Sequence, residues 1–174
     1  MVFGPGAIGS ILGAALHRSG PNTVLVGRGS HVQAIRKDGL QLMSEGVLRR
    51  IKLSAIENLR GFKPRPDDVL LLTVKSQDTE AAAKQLSGIY GPEAVIVSLQ
   101  NAVGNEEILA RQIQEVYGGL GEFRGNYLRP GLVEHTGNNL VAFGRYPQDV
   151  DPVAERIAAD LTAAGFRVEC HSQV

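Results

Sequence analysis

Met1-Val2-Phe3-Gly4-Pro5-Gly6-Ala7-Ile8-Gly9-Ser10 decides the fold of this 174-residue chain. Apolar residues lead into glycines spaced G-x-G-x-x-G, and Ile8, Ile11, Leu12, Ala15 and Leu16 follow with helical period. The order strand, glycine turn, helix is that of a dinucleotide-binding turn. Gly4 permits the tight bend, Gly6 lets the backbone approach a pyrophosphate, and Gly9 lets the helix lie close on the strand. Free N–H groups and the positive dipole end of the helix would hold the phosphates. A glycine-rich loop without a ligand is the competing reading, and the flanking strand and helix favour the nucleotide. Only three residues precede Gly4, where a strand usually has about 5–6. The numbering is therefore expected to start at an internal methionine or in a trimmed strand.

Outward from this turn, Ser19-Gly20-Pro21-Asn22 stops the first helix, and Thr23–Val26 reads as a strand buried on both faces. Gly27-Arg28-Gly29 ends it, Ser30 is the expected N-cap of a helix through Lys37, and Asp38-Gly39 closes that helix. Leu40–Met43 and Val47–Leu53 are expected as two strands around Glu45-Gly46. Pro64–Asp67 is a loop, and Asp68–Val74 carries the strongest central-strand signal. A helix is expected from Glu80 to Leu86, a strand over Ala94–Leu99, and a helix from Glu106 to Val116 capped by Asn105. Leu132–Thr136 and Leu140–Phe143, around Gly137-Asn138-Asn139, read as a hairpin. A helix from Pro152 to Ala164 and a strand over Phe166–Cys170 complete the pattern. Strands alternating with helices give an α/β, Rossmann-like, doubly wound and mostly parallel sheet with a C-terminal β-hairpin region, spanning 1–174 as one domain. The loops at 4–9, 27–29, 73–79 and 100–104 would share the carboxyl edge of that sheet.

Composition narrows the function classes. Lys plus Arg and Asp plus Glu number 18 each, so no global basic field recruits nucleic acid. Trp is absent and aromatics make up 5%, which argues against base-stacking platforms. Cys170 is the only cysteine, and no histidine pair has metal-ligand spacing. No internal disulfide can form, no metal is expected, and a cytoplasmic location fits. No apolar run reaches the ~20 residues of a membrane span, and no signal-peptide pattern opens the chain.

Three further residues stand at strand ends. An NAD-preferring turn carries an acidic residue about twenty positions on. Arg28 stands there instead, and a guanidinium attracts a 2′-phosphate that a carboxylate would repel. The expectation is NADP(H), against the alternative of a solvated surface arginine. Lys75 can neutralise phosphate charge or approach a reacting carbonyl, or it is a lysine reaching for water. Asn101 can donate and accept at a bound ligand, or serve the turn alone.

Taken together, Gly4-Pro5-Gly6-Ala7-Ile8-Gly9-Ser10, Gly27-Arg28-Gly29, Leu72–Thr79, Leu99–Glu106 and Pro130–Gly137 resemble the ketopantoate reductase (2-dehydropantoate 2-reductase) family, nearly end to end. The resemblance implies NADPH-dependent reduction of 2-dehydropantoate to (R)-pantoate, on the way to pantothenate and coenzyme A. It implies cofactor contacts from Gly4, Pro5, Gly6, Ala7, Ile8, Gly9, Arg28, Lys75, Asn101 and Tyr127, with Asn101 shared with the substrate and Tyr127 bordering the nicotinamide. Ala102 departs from the family's usual Gln-Asn-Gly. The family's second, all-helical domain carries its general-acid lysine. That domain is expected to lie outside this chain, so no catalytic residue is assigned within it.

The isolated chain is thus expected to bind NADP(H) and to turn over poorly. The alternatives are a non-catalytic NADP(H)-binding module and a reductase of another 2-keto acid. The expected partners are a small 2-keto acid and a second copy of the chain in a homodimer, with no nucleic acid and no membrane.

Overall fold

The computed structural model describes residues 1–147 and 151–172. Its elements in order are β1 Val2–Phe3, α1 Ala7–Ser19, β2 Val24–Val26, α2 Ser30–Asp38, β3 Leu40–Ser44, β4 Val47–Ile51, β5 Ser54–Ile56 and β6 Val69–Leu72. A 3-10 turn at Ser76–Asp78 leads into α3 Thr79–Tyr90, followed by β7 Val95–Ser98 and α4 Asn105–Ala110. The remainder is β8 Glu115–Glu122, β9 Gly125–Arg129, β10 Leu132–His135, β11 Leu140–Arg145, α5 Pro152–Ala163 and β12 Arg167–Cys170.

The main sheet runs β5-β2-β1-β6-β7-β8-β11-β12, parallel except where β11 meets β8. Its central strands are short continuous apolar runs because both faces are covered. Val2, Leu25, Leu71 and Val97 face α1 and α5 with Ile11, Leu12, Ile157 and Leu161. Val26, Leu70, Leu72 and Ile96 face α3 and α4 with Ala82, Ala83, Leu86 and Leu109. β1 pairs with β2 on one side and β6 on the other. The strand order reverses at that point, so the crevice outside the carboxyl end of β1 is where a ligand of this fold belongs. A second sheet, β4-β3-β10-β9, packs against α1. Gly125 makes that approach possible, because a Cβ there would lie 2.4 Å from Ile11 Cδ1.

Four local expectations are corrected. The helix expected over Glu106–Val116 stops at Ala110, and Val116 and Tyr117 lie in β8. There Ile96 pairs with Val116 and Val97 with Tyr117, while β11 pairs along the other edge. A β-branched and an aromatic residue, both buried, gain more from that sheet than from extending a short helix. The hairpin expected between Leu132–Thr136 and Leu140–Phe143 is not formed. β10 pairs with β3 and β9, whereas β11 pairs with β8 and β12. The hairpin of this region is β9–β10, turning at Pro130-Gly131 with Gly131 at φ +77°. Neither expected cap is made: α2 and α4 begin after Gly29 and Gly104, with no side-chain capping bond. β5 and β9 carry no signal strong enough to be read from the sequence.

No helix among the described residues is long and apolar enough to cross a membrane. Nor do those residues include a separate all-helical unit.

Candidate nucleotide site

The glycine turn is built by contacts that exclude side chains. Gly4 sits at φ +99°, and a Cβ there would lie 2.7 Å from Val74 N. Gly9 is tighter still: its Cβ would lie 2.5 Å from both Gly4 O and Thr73 Oγ1. Thr73, just past β6, donates to Gly4 O at 2.7 Å and locks the turn to the neighbouring strand. Pro5 is buried against Gly27, where a Cβ would meet Pro5 Cδ at 2.4 Å. Gly6 differs from these. It is exposed, and a Cβ on it would meet nothing within 4 Å. Gly6 is also the N-cap of α1, has no side chain to cap with, and is followed by a first turn free of acidic residues. Among the described residues, the N–H groups of Ala7, Ile8 and Gly9 have no backbone acceptor, as at any helix start, whereas Ser10 N donates to Gly6 O at 2.9 Å. Open space over free donors at the positive end of a helix fits a pyrophosphate.

Arg28 follows β2 at the same edge. It is exposed, and no hydrogen bond or ion pair among the described residues engages it. Gly29, at φ +82°, then turns the chain into α2, whose first turn also lacks acidic residues. Arg28 thus stands beside a second helix start with no carboxylate in that turn.

Lys75 and Asn101 are both exposed, on the loops after β6 and β7. A buried amide network joins these two loops. Gln100 Nε2 donates to Val74 O at 2.9 Å and to Thr79 Oγ1 at 2.9 Å. Thr79 Oγ1 donates to Asn105 Oδ1 at 2.8 Å. Asn105 Nδ2 donates to Ala102 O and, at 3.3 Å, to Ser76 Oγ. Gln100, Thr79 and Asn105 are 7%, 0% and 1% exposed, so these bonds are shielded from water and hold the Lys75 and Asn101 backbones at one edge.

Tyr127 lies on β9 in the second sheet, with its ring 4.9 Å from that of His31. It therefore lies beside the first turn of α2. His31 itself was missed by sequence reasoning, which asked only whether the histidines had metal-ligand spacing. The ring is buried in the first turn of α2. Gly131 N donates to His31 Nδ1 at 2.9 Å, which leaves the proton of the neutral ring on Nε2. Nε2 stands 3.0 Å from Ser10 Oγ, and Ser10 Oγ donates to Pro5 O at 3.2 Å. Burial lowers the His31 pKa, in keeping with a neutral ring. Nothing local in the sequence marks this chain of contacts, because Gly131 is 100 residues from His31.

Two clefts lie elsewhere. One of about 600 Å³ opens at the amino ends of the strands, near Met1, Asn22, Phe62, Arg65 and Asp160. Another of about 330 Å³ lies between α1, the second sheet and α5, beside His135 and Arg49. Neither touches the glycine turn. The candidate site is an open edge, chosen by its donors rather than by its enclosure.

Residues 1–148 match the family model described as Ketopantoate reductase PanE/ApbA. The 2-dehydropantoate 2-reductase of Archaeoglobus fulgidus is 33% identical over 99% of this chain and 56% of its own length. The crystal structure of a PanE/ApbA family ketopantoate reductase from Ralstonia eutropha covers the whole chain at 31% identity, with a TM-score of 0.87. The chain covers 57% of that structure. D-mandelate dehydrogenase, solved with NADH and anilino(oxo)acetate, is 24% identical over 98% of this chain and 54–57% of its own, with TM-scores of 0.82–0.84 in two structures, a likeness of fold alone. The chain thus spans little more than half the length of the relatives it matches. Glycine turn, strand order and the match over residues 1–148 agree: the chain belongs to the ketopantoate reductase (PanE/ApbA) family.

Proposed function

We propose that this chain binds NADP(H) and forms the nucleotide half of an enzyme reducing 2-dehydropantoate to (R)-pantoate, on the way to pantothenate and coenzyme A. The observation that carries the reading is Arg28. Its guanidinium, exposed at the end of β2 and unengaged among the described residues, stands beside a helix start whose first turn lacks acidic residues. Such a group can take a 2′-phosphate in a fork of two hydrogen bonds.

The remaining roles follow from the chemistry of each group. Gly4 to Gly9 hold the pyrophosphate on backbone N–H groups, without a Cβ at Gly6 to keep it away. Lys75 adds positive charge near the phosphates, and Asn101 donates its amide to the ketone oxygen and orients it. Tyr127 borders the cofactor groove. When bound, the nicotinamide supplies a hydride to the ketone carbon. The proton for the resulting oxygen comes from a general acid, which the family resemblance assigns to a lysine outside these residues. The complete protein is expected in the cytoplasm, with a small 2-keto acid as substrate, and sedimentation would test for a homodimer.

The test is a parallel titration with NADPH and NADH, followed by nicotinamide fluorescence. NADPH is expected to bind more tightly, and Arg28→Asp should cost about 10- to 100-fold for NADPH alone. Equal affinity for the two nucleotides would overturn the Arg28 assignment.

A further inference from the structure

The cleft of about 330 Å³ between α1, the second sheet and the end of α5 lies apart from the glycine turn. Two arginines line it, Arg18 from α1 and Arg49 from β4, and no aspartate or glutamate does. Both arginines are exposed, and no hydrogen bond or ion pair among the described residues engages either. The larger cleft differs, because Asp67, Asp68 and Asp160 line it beside Lys63 and Arg65. Arg18 stands in the last turn of α1, where the helix dipole by itself favours a cation. No dipole accounts for Arg49. It pairs with the buried Leu42 of β3 and so shares the face of the second sheet that packs on α1.

His135, at the end of β10, pairs with Ser44 of β3, and both line the same cleft. His135 Nε2 is buried without a hydrogen-bond partner, the only such side-chain atom among the described residues. A folded chain normally answers such an atom with a water or a ligand. The Ser19 hydroxyl and the Asn139 amide are already spent on Leu16 O and Gly165 O. The groups left over are donors: two guanidiniums, the Ser44 hydroxyl and, when it carries the ring proton, His135 Nε2. Ile11, Ala15, Leu42 and Phe166 add an apolar wall.

We propose that this cleft is a second binding site, for the monoester phosphate of a small organic molecule. Two guanidiniums match the charge of a phosphate dianion, and each can hold it through a fork of hydrogen bonds. His135 Nε2 donates to the same group, and the organic stem lies on the apolar wall. The volume is at the lower end for a small-molecule pocket, which limits the stem to a few carbon atoms. The proposal does not depend on the nucleotide reading.

The ¹⁵N-labelled 174-residue chain would be titrated with inorganic phosphate, propyl phosphate and butyrate at constant ionic strength, following backbone amide shifts by NMR. Saturable shifts are expected at Ser44, Arg49, His135 and Gly165. Propyl phosphate should bind about tenfold more tightly than inorganic phosphate, through its stem. Butyrate, with the same stem, should bind about tenfold more weakly than propyl phosphate. Arg18→Gln and Arg49→Gln should each weaken propyl phosphate about tenfold without changing the melting temperature, since both side chains are exposed. His135→Phe keeps a ring, removes Nε2 and should weaken propyl phosphate about fivefold. Arg49→Gln decides the matter even where His135→Phe disturbs the packing. The proposal is overturned if the shifts never saturate, if they are confined to Gly6 to Gly9, or if butyrate matches propyl phosphate. It is equally overturned if Arg49→Gln binds propyl phosphate as the unmodified chain does.

Discussion

Two of the turn glycines should separate folding from binding when each is changed to alanine. At Gly9 the new methyl would lie 2.5 Å from Gly4 O and 2.5 Å from Thr73 Oγ1, with Val2 Cγ1 at 3.2 Å. Ordinary contact begins near 3.4 Å, so relief requires α1 to lift from β1, to clear the backbone Gly4 O, and Thr73 to turn away. Lifting α1 disturbs its packing through Ile11, Leu12 and Leu16, an overpacking cost of about 1–3 kcal/mol. Turning Thr73 breaks its bond to Gly4 O, about 1 kcal/mol. The better helix propensity of alanine returns up to about 1 kcal/mol, so Gly9→Ala should destabilise the chain by about 2 kcal/mol. At Gly6 the backbone, at φ −70° and ψ −159°, suits any L-residue, and the methyl meets nothing within 4 Å. A slightly poorer N-cap and a less flexible unfolded chain nearly cancel, so stability should change by less than about 0.5 kcal/mol. Nucleotide affinity should instead fall at least about tenfold, because the methyl occupies the approach to the free N–H groups. Urea unfolding followed by far-UV circular dichroism measures the first effect, and NADPH fluorescence, unobscured because the chain has no Trp, measures the second. The reasoning is refuted if Gly6→Ala unfolds as readily as Gly9→Ala, or if it binds NADPH unchanged.

Burial lowers the pKa of His31, so just below the ordinary value of about 6.5 the unfolded chain takes up a proton that the folded chain refuses. Stability should be full above that pH and decline as pH falls towards the folded pKa, and His31→Gln should flatten the decline in urea midpoints. Thr79→Val leaves Asn105 Oδ1 buried without its donor and should cost about 1–3 kcal/mol in urea unfolding. It should also weaken NADPH by loosening the loops of Lys75 and Asn101. Asp151 caps α5 by accepting from Val153 and Ala154 N–H, and also binds Tyr117 and Arg145. Asp151→Ala should therefore cost about 2 kcal/mol in the same assay. Burial alone would raise the Asp151 pKa, but bonds from Ala154 N–H, Tyr117, Arg145 and Val153 N–H together lower it below 3.8. Its contribution should thus persist above that pH and vanish only as pH falls through the lower folded value, and Asp151→Asn should flatten this acid limb.

Signals confined to neighbouring residues were readable in advance. The glycine turn and the continuous apolar runs at Val24–Val26, Val69–Leu72 and Val95–Ser98 each report their own environment, so strand and turn could be read in place. Reading failed where two distant segments compete for one partner. Val116 has helical spacing from Ile113, yet Ile96 in β7 claims it for the sheet. Leu132–His135 resembles half of a hairpin with the strand after it, yet Gln41–Ser44 claims it for the second sheet. Asn105 has the residue type of a helix cap, yet its amide is drawn to Thr79 at the start of α3 and to Ala102 on the loop before α4. The site divides the same way. Gly6 and Arg28 announce themselves by type and spacing, whereas His31 and Gln100 matter through partners that no local pattern names.

The amino-acid order alone thus settled the class of fold, the position of the glycine turn between β1 and α1, and the basic residue at the end of β2. Each depends on conformational freedom, hydrophobic period or charge within a few neighbouring residues. Tertiary structure decided which strands pair and that a second sheet leans on α1. It also decided that a neutral histidine ties that sheet to the Pro5 carbonyl. These depend on hydrogen bonds and packing across tens of residues, where several pairings satisfy the same local pattern and only the whole core selects one.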